Sequence, residues 1–138
     1  MGTKRESNNS LTKKVNQPLH NYLSDPVELY LPGKEADRWA KKFRYIPNHQ
    51  MRKVLDSVKE AKLYAQNGDL EKAKKQIFII VVMCAYNSGR EPKKLFILYD
   101  FVQSMINEQS IKSEKDIYAF DEFFTSIVAY HYHKQYSK

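Results

Sequence analysis

The residues with the clearest potential for catalysis or metal binding are two histidines near the C-terminal end of the sequence. His131 and His133 form an H-x-H pair in a segment whose apolar residues have helical spacing. Residues two apart on a helix point in divergent directions, so this pair is poorly placed to chelate one metal ion. No Asp, Glu or Cys stands nearby to complete a zinc site. We therefore expect no metal, although a small metal-dependent nuclease that uses these histidines and acidic residues stays a third interpretation.

Other catalytic signatures are not evident in the sequence. The four glycines are too far apart to form a phosphate-binding loop, and no serine has the context of a nucleophile elbow. Two carboxylate pairs lie at predicted helix starts or on polar faces, where the helix dipole or solvation explains them. They are Asp121–Glu122 and Asp69/Glu71. We therefore expect no catalytic residues and no cofactor, and the chain is predicted not to be an enzyme.

The single cysteine and the apolar runs indicate the cellular compartment. Cys84 has no partner for an internal disulfide and lies inside an apolar run, so a buried thiol in a reducing cytosol is expected. The first thirty residues lack the apolar core of an export signal. The longest apolar run spans ten residues, 77–86, whereas a membrane-spanning helix needs about 20. A cytoplasmic protein without membrane contact is predicted.

The net charge favours an anionic partner. The 138-residue chain carries 23 Lys and Arg against 16 Asp and Glu, which gives a net charge of +7. From Lys34 to Lys53 there are seven basic and two acidic residues, whereas from Glu108 to Glu122 there are five acidic and two basic. We expect a positive side that contacts phosphates. A negative side opposite it would also permit head-to-tail self-association into a filament.

The elements that must position these residues are predicted to be helices. Apolar residues recur at spacings of three and four in five segments. These segments are 34–45, 48–67, 70–88, 93–109 and 113–134. The predicted fold class is all-α, a compact bundle of about five helices in one domain, 34–138. Residues 1–33 are rich in polar residues and proline and are predicted to form a flexible or partly docked N-terminal extension.

Capping residues mark several of the predicted helix ends. After Pro47, Asn48 is predicted to cap the second helix, which ends at Asn67–Gly68. Asp69 is predicted to cap the third helix. Gly89 is predicted to take the position just after the end of that helix.

One stretch of the third helix, residues 77–83, is apolar on almost all sides. Its content of Ile, Val and Phe would also permit a strand, but no partner strand is evident elsewhere in the sequence. A helix of this kind is buried on most sides or lies in an interface. In isolation this surface could form a homodimer.

Basic residues near the predicted helix ends are candidates for phosphate contacts. Arg52 and Lys59 are seven residues apart and share a face away from the apolar stripe, with Lys53 beside it. Arg90 follows a predicted helix end, where its guanidinium group suits a phosphate. Pairing of Arg90 with Glu91 or with the preceding carbonyls is the alternative. Two further candidates open the next helix, Lys93 and Lys94.

Three tyrosines have two possible roles. Tyr86, Tyr130 and Tyr132 could stack on nucleic-acid bases. Tyrosine at helical spacing is also common in protein cores. The sequence leaves both interpretations open.

Three segments of the sequence resemble motifs of one known protein family. The sequence at 46–55, Ile-Pro-Asn-His-Gln-Met-Arg-Lys-Val-Leu, resembles its Thr-Ser-Gln-Ile-Arg-Lys helix start, with matches at Gln50, Arg52 and Lys53. The sequence at 85–90, Ala-Tyr-Asn-Ser-Gly-Arg, resembles its Ala-Tyr-x-x-Gly-Arg. The segment 123–131 is similar to its Phe-Glu-Ala-x-Val-Ala-Tyr-His ending. The order and spacing agree over roughly 46–134. The sequence therefore resembles the small subunit of the type III-A CRISPR–Cas effector (the Csm complex).

The resemblance implies a helical, non-catalytic subunit that is present in several copies. These copies stack along the backbone subunit that carries the guide RNA, and they line the path of the target RNA. The implied partners are guide RNA, target RNA, the backbone and large subunits, and further copies in a filament. The resemblance carries RNA binding over to Arg52, Lys53 and Arg90, whereas Lys59, Lys93 and Lys94 are candidates from geometry alone.

A helical DNA-binding regulator is the alternative function. Such a protein would need a recognition helix with base-reading side chains and two-fold symmetry. The helix that begins near Asn48 could serve as that helix. The helix after Asn67–Gly68 is too apolar to enter a DNA groove.

Overall fold

The computed structural model describes the backbone of residues 13–136 and the side chains of residues 13–134. Over this range the chain forms seven helices and no strand. They are α1 (Leu19–Tyr22), α2 (Pro26–Tyr30), α3 (Glu35–Lys42), α4 (Asn48–Gln66), α5 (Leu70–Arg90), α6 (Pro92–Met105) and α7 (Glu114–Tyr136). The predicted all-α fold class is confirmed, and the five predicted helices correspond to α3–α7. None of the helices in this range is long and apolar enough to cross a membrane.

The core is built around the ring of Phe101 in α6. Its centroid lies 4.7 Å from that of Trp39 and 5.4 Å from that of Phe43, at the C-terminal end of α3. Both pairs meet edge to face, which the charge distribution of aromatic rings favours. The same ring centroid lies 5.9 Å from that of Phe123 and 6.2 Å from that of Phe124, both in α7. Phe101 therefore joins α3, α6 and α7.

The pair α4 and α5 is antiparallel, because a short turn joins the two helices and they pack along their lengths. Gly68 in this turn has a φ of +83°, a conformation that glycine adopts without steric cost. Asp69 accepts a hydrogen bond from the Lys72 amide at 3.1 Å, which caps the first turn of α5. The predicted end of α4 and the predicted cap of α5 are confirmed. The N-terminus of α4 consequently lies beside the C-terminus of α5.

Two other predicted helix ends are wrong. Asn48 is the first residue of α4, and Pro47 holds the capping position without a side-chain hydrogen bond. Gly89 lies inside α5, which continues to Arg90. The break falls at Glu91, with φ −136° and ψ 69°, because the following Pro92 excludes the helical conformation at this residue.

The apolar stretch 77–83 is helical, so the strand alternative is wrong. One side of α5 buries Ile77 and Ile80 completely. The opposite side leaves Ile79 and Val82 exposed at 43% and 68% of their surfaces. The homodimer through this surface stays a prediction.

The predicted N-terminal extension falls partly outside the described residues, which begin at Lys13. From there it packs into the main core through four buried side chains. These are Val15, Leu19, Leu23 and Leu29. The amides of Val15 and Leu19 each donate a hydrogen bond of 2.9 Å, to the carbonyls of Ser104 and Ser110. The flexibility predicted for the extension stays a prediction for residues 1–12.

The loop between α6 and α7 receives this extension. α6 ends at Met105 rather than near Gln109, because the Asn107 side chain organises a turn. Its Oδ1 accepts hydrogen bonds from the amides of Gln109 and Ser110, at 2.8 and 3.0 Å. Its Nδ2 donates to the carbonyl of Val15 at 3.0 Å. One side chain therefore both ends the helix and fixes the extension.

Candidate nucleic-acid interface

The three segments that carry the family resemblance meet at one end of the molecule. Nδ2 of Asn87, in the last turn of α5, donates a hydrogen bond of 3.4 Å to Oε1 of Gln50 in the first turn of α4. Nε2 of His131, in α7, lies 2.9 Å from the carbonyl oxygen of Ile46, just before α4. Because a carbonyl can only accept, this ring nitrogen carries the proton. Segments 46–55, 85–90 and 123–131 thus form a continuous surface.

A polar cleft of about 460 Å³ opens where α4 begins and α5 passes into α6. Its wall is made by eight residues, Pro47, His49, Gln50, Asn87, Arg90, Glu91, Lys94 and Leu95. Two of them, Arg90 and Lys94, are basic candidates from the sequence, and both are exposed. Glu91 is the one acidic residue among the eight. The cleft therefore holds a local excess of positive charge.

The N-termini of α4 and α6 add partial positive charge, which the C-terminus of α5 and the Glu91 carboxylate at the N-cap of α6 partly offset. Neither α4 nor α6 has a side-chain hydrogen bond at its N-cap or an acidic residue in its first turn. The first amides of a helix carry partial positive charge and bind anions. The guanidinium carbon of Arg90 lies 5.7 Å from the centroid of the Tyr86 ring. The Arg90 guanidinium group thus contacts an aromatic ring. Within residues 13–134 it forms no ion pair with Glu91.

An apolar groove of about 560 Å³ lies next to the polar cleft, between α4 and the second half of α7. Its wall is made by ten residues, Asn48, His49, Met51, Arg52, Leu55, Thr125, Val128, Ala129, His131 and Tyr132. His49 lines both cavities. Met51 and His131 are buried at its base, whereas Arg52, Ala129 and Tyr132 are exposed at its edge. A cationic surface and an apolar surface therefore share one border.

The six basic candidates fall into three groups. Arg90 and Lys94 line the polar cleft, and Arg52 lines the apolar groove beside it. Lys53 and Lys93 are exposed next to them in the chain but line neither cavity. Lys59 is partly neutralised, because its Nζ lies 2.8 Å from Oδ1 of Asp121. Three polar residues of the cleft were not predicted as site residues, although they lie inside the matched segments: His49, Gln50 and Asn87.

The predicted negative side is smaller than the count of acids suggests. Of the five acids between 108 and 122, Asp116 and Asp121 are buried. Asp121 lies between Lys59 and Lys62, at 2.8 and 3.3 Å. Burial raises the pKa of Asp116, but hydrogen bonds from the amides of His20, Lys112 and Ser113 outweigh it and hold this pKa below its usual value. Both carboxylates therefore stabilise the fold and add little negative charge to the protein surface.

The first histidine of the H-x-H pair, His131, has a structural role. His131 is buried, and this burial lowers its pKa despite its contact with the Ile46 carbonyl. It ties α7 to the turn before α4. No group of three His, Cys, Asp or Glu residues in the described part of the chain could hold a metal ion. Cys84 is buried as predicted, and the burial raises its thiol pKa to about 12.

Comparison with known proteins identifies one family. The model of the family described as Csm2 Type III-A matches residues 28–138. Neither the curated proteins nor the solved structures contain a match to this chain. The match includes the three segments from which the sequence predicted the resemblance, and that prediction is confirmed. The chain therefore belongs to the Csm2 family, the small subunit of the type III-A CRISPR effector complex.

Proposed function

We propose that this small subunit lines the RNA path of the type III-A effector and holds RNA phosphates in the polar cleft, without a catalytic step of its own. The observation that supports this most directly is the position of Arg90 and Lys94. Both lie in one cleft with the N-termini of α4 and α6, neither of which has an acidic first turn. Such donors hold a phosphate oxygen well.

Contacts of this kind suit a subunit that must accept any guide sequence. Phosphate contacts fix the position of a nucleic acid without reading its bases. In RNA-guided complexes, base pairing between guide and target carries the sequence information. A protein that contacted base edges would favour some guides over others. The proposed partners are therefore guide and target RNA, reached through their backbones.

The remaining basic candidates extend this surface. Lys93 is exposed in the first turn of α6 and Lys53 in the second turn of α4, and we assign them to phosphates that flank the cleft. Arg52 lies on the groove side of the same helix end. Lys59 shares its charge with Asp121, so we assign it a weaker contact. We also propose that the subunit is cytoplasmic and that it contacts the backbone and large subunits. Several copies would form a filament within the complex.

A pair of lysines provides a matched test of the cleft. Lys94 and Lys115 are both exposed and both lie in the first turn of a helix. Lys115 is about 24 Å along α7 from His131, at 1.5 Å per residue, and so is remote from the cleft. Lys94→Ala and Arg90→Ala are each expected to weaken RNA binding about tenfold, whereas Lys115→Ala should have little effect.

The measurement is fluorescence anisotropy with three single-stranded RNAs of unrelated sequence over a range of salt concentrations. Each lost phosphate contact should reduce the slope of log K against log salt by about 0.7. All three RNAs should respond alike. Equal losses for Lys94→Ala and Lys115→Ala would refute the cleft as the binding site, and a loss confined to one RNA would refute phosphate recognition.

The structure offers little support for the alternative, a DNA-binding regulator. α4, its proposed recognition helix, packs against both α5 and α7. It buries Met51, Val54, Val58, Ala61 and Ala65. Its exposed face mixes Arg52 and Lys53 with Asp56 and Glu60. These acids would repel DNA phosphates along the face that must approach the groove.

A further inference from the structure

The apolar groove beside the polar cleft has no role in phosphate binding. Its walls are Leu55 and Val128, which are half-buried, and its base includes Met51, which is 1% exposed. The Tyr132 side chain, 45% exposed, stands at the edge. With a volume of about 560 Å³, the groove falls in the range of small-ligand pockets, about 300–1,000 Å³. Binding of a planar apolar group to such a concave apolar surface is favourable, because it displaces water from both surfaces.

The ligand that suits both cavities must combine an apolar plane with an adjacent negative charge. His49 lines both the groove and the cleft, so the two cavities adjoin at this exposed side chain. An apolar helix of another protein would fill the groove but would leave Arg90 and Lys94 without an anionic partner. A nucleotide carries a base next to a phosphate, so the apolar and cationic character of the two adjoining cavities favours it.

We propose that the apolar groove receives one unstacked base of single-stranded RNA whose phosphate lies in the polar cleft. This inference rests on the phosphate binding of the proposed function and adds the base as a second point of contact. Tyr132 and the Arg52 guanidinium group, both at the edge of the groove, offer planar surfaces for stacking. The side chains of Leu55 and Val128 cannot form hydrogen bonds, so this part of the groove contacts a base without reading its edge.

Two oligonucleotides separate the base from the phosphate contribution. The full-length protein is titrated with hexauridylate and with an abasic oligonucleotide of the same length and charge, at about 50 mM salt, where phosphate contacts are strong. Stacking of one base is expected to make hexauridylate bind about tenfold more tightly than the abasic oligonucleotide. The Ala129→Trp substitution fills the groove from an exposed position and should remove this difference without changing the affinity for the abasic oligonucleotide.

A matched substitution controls for the added indole ring. Ala85 is also exposed on a helix and lines neither cavity, so Ala85→Trp should keep the tenfold preference. If the wild-type protein binds both oligonucleotides equally, the base site is refuted while the phosphate site stands. If neither oligonucleotide binds in a salt-dependent manner, the proposed function fails and the base site with it.

Fluorescence provides a second measurement that needs no substitution in the protein. Hexauridylate with 2-aminopurine at one position should lose part of its fluorescence on binding, because stacking on an aromatic ring quenches this base. Unchanged fluorescence at every position tested, at saturating protein, would overturn the proposal.

Discussion

One buried carboxylate, that of Asp116, joins the N-terminal extension to the first turn of α7. Oδ2 accepts hydrogen bonds from the amides of Lys112 and Ser113 at 2.8 and 3.0 Å. Oδ1 accepts from the amide of His20 at 3.0 Å, and His20 Nδ1 lies 2.6 Å from the same oxygen. The side chain is fully buried. Asp116→Asn keeps its shape but replaces one acceptor oxygen with a donor.

The expected cost follows from this geometry. In one orientation the NH₂ group faces the amides of Lys112 and Ser113, and in the other it faces the amide of His20, so at least one buried amide donor loses its acceptor. A buried donor without a partner costs about 1–3 kcal/mol, so Asp116→Asn should lower the free energy of unfolding by about 1–3 kcal/mol. The measurement is urea denaturation at pH 7, in which the midpoint should fall. Glu114→Gln, in the same first turn of α7 but exposed, should change it by less than about 0.5 kcal/mol.

The stability difference between wild type and Asp116→Asn should depend on pH in a definite direction. The pKa of Asp116 is lowered in the folded protein from its ordinary value of 3.8. Its stabilisation is therefore complete above that value and is lost as the pH falls through the lower, folded-state pKa. The difference between wild type and Asp116→Asn should be constant near neutral pH and should shrink as the pH falls below 3.8. Equal stability of Asp116→Asn and Glu114→Gln at pH 7 would refute this account of the carboxylate.

Two further predictions test the backbone and the thiol. Gly89→Ala should stabilise the protein by about 1 kcal/mol, because Gly89 is helical and a Cβ there would meet no atom within 4 Å. Gly68→Ala should instead destabilise it by about 1 kcal/mol because of its positive φ, and thermal denaturation compares the two. Cys84 should resist iodoacetamide at pH 8 in the native protein and react quickly in urea, because burial raises its pKa to about 12. Rapid alkylation of the native protein would contradict this.

The long helices were predictable from the sequence because their apolar residues repeat over several turns. α1 and α2 were not, because helices of four and five residues are too short to show a repeat. They are held by distant partners instead, as Leu19 is by the carbonyl of Ser110. The end of α5 was placed too early because Gly89 matched a capping pattern, whereas the restriction that Pro92 imposes on Glu91 decides the break.

The candidate site was predictable in composition but not in shape. Arg52 and Arg90 were identified from the sequence, yet nothing local indicated that their helix ends adjoin. That adjacency depends on long-range contacts such as Asn87 with Gln50. The ion pair between Lys59 and Asp121 likewise joins helices far apart in the chain. Pairings of this kind follow from helix packing, which apolar spacing alone does not specify.

The central position of α7 has a consequence for the nascent chain on the ribosome. α7 packs against α1, α2, α3, α4 and α5, and it contributes Phe120, Phe123, Phe124 and Ile127 to the core with no exposed surface. α4 and α5 pair locally and can associate while synthesis continues. Until α7 has emerged, however, the apolar faces that it covers stay in contact with water. During translation this small subunit therefore exposes the apolar faces of its earlier helices, and a chaperone that binds apolar surface would shield them until the last helix has been synthesised.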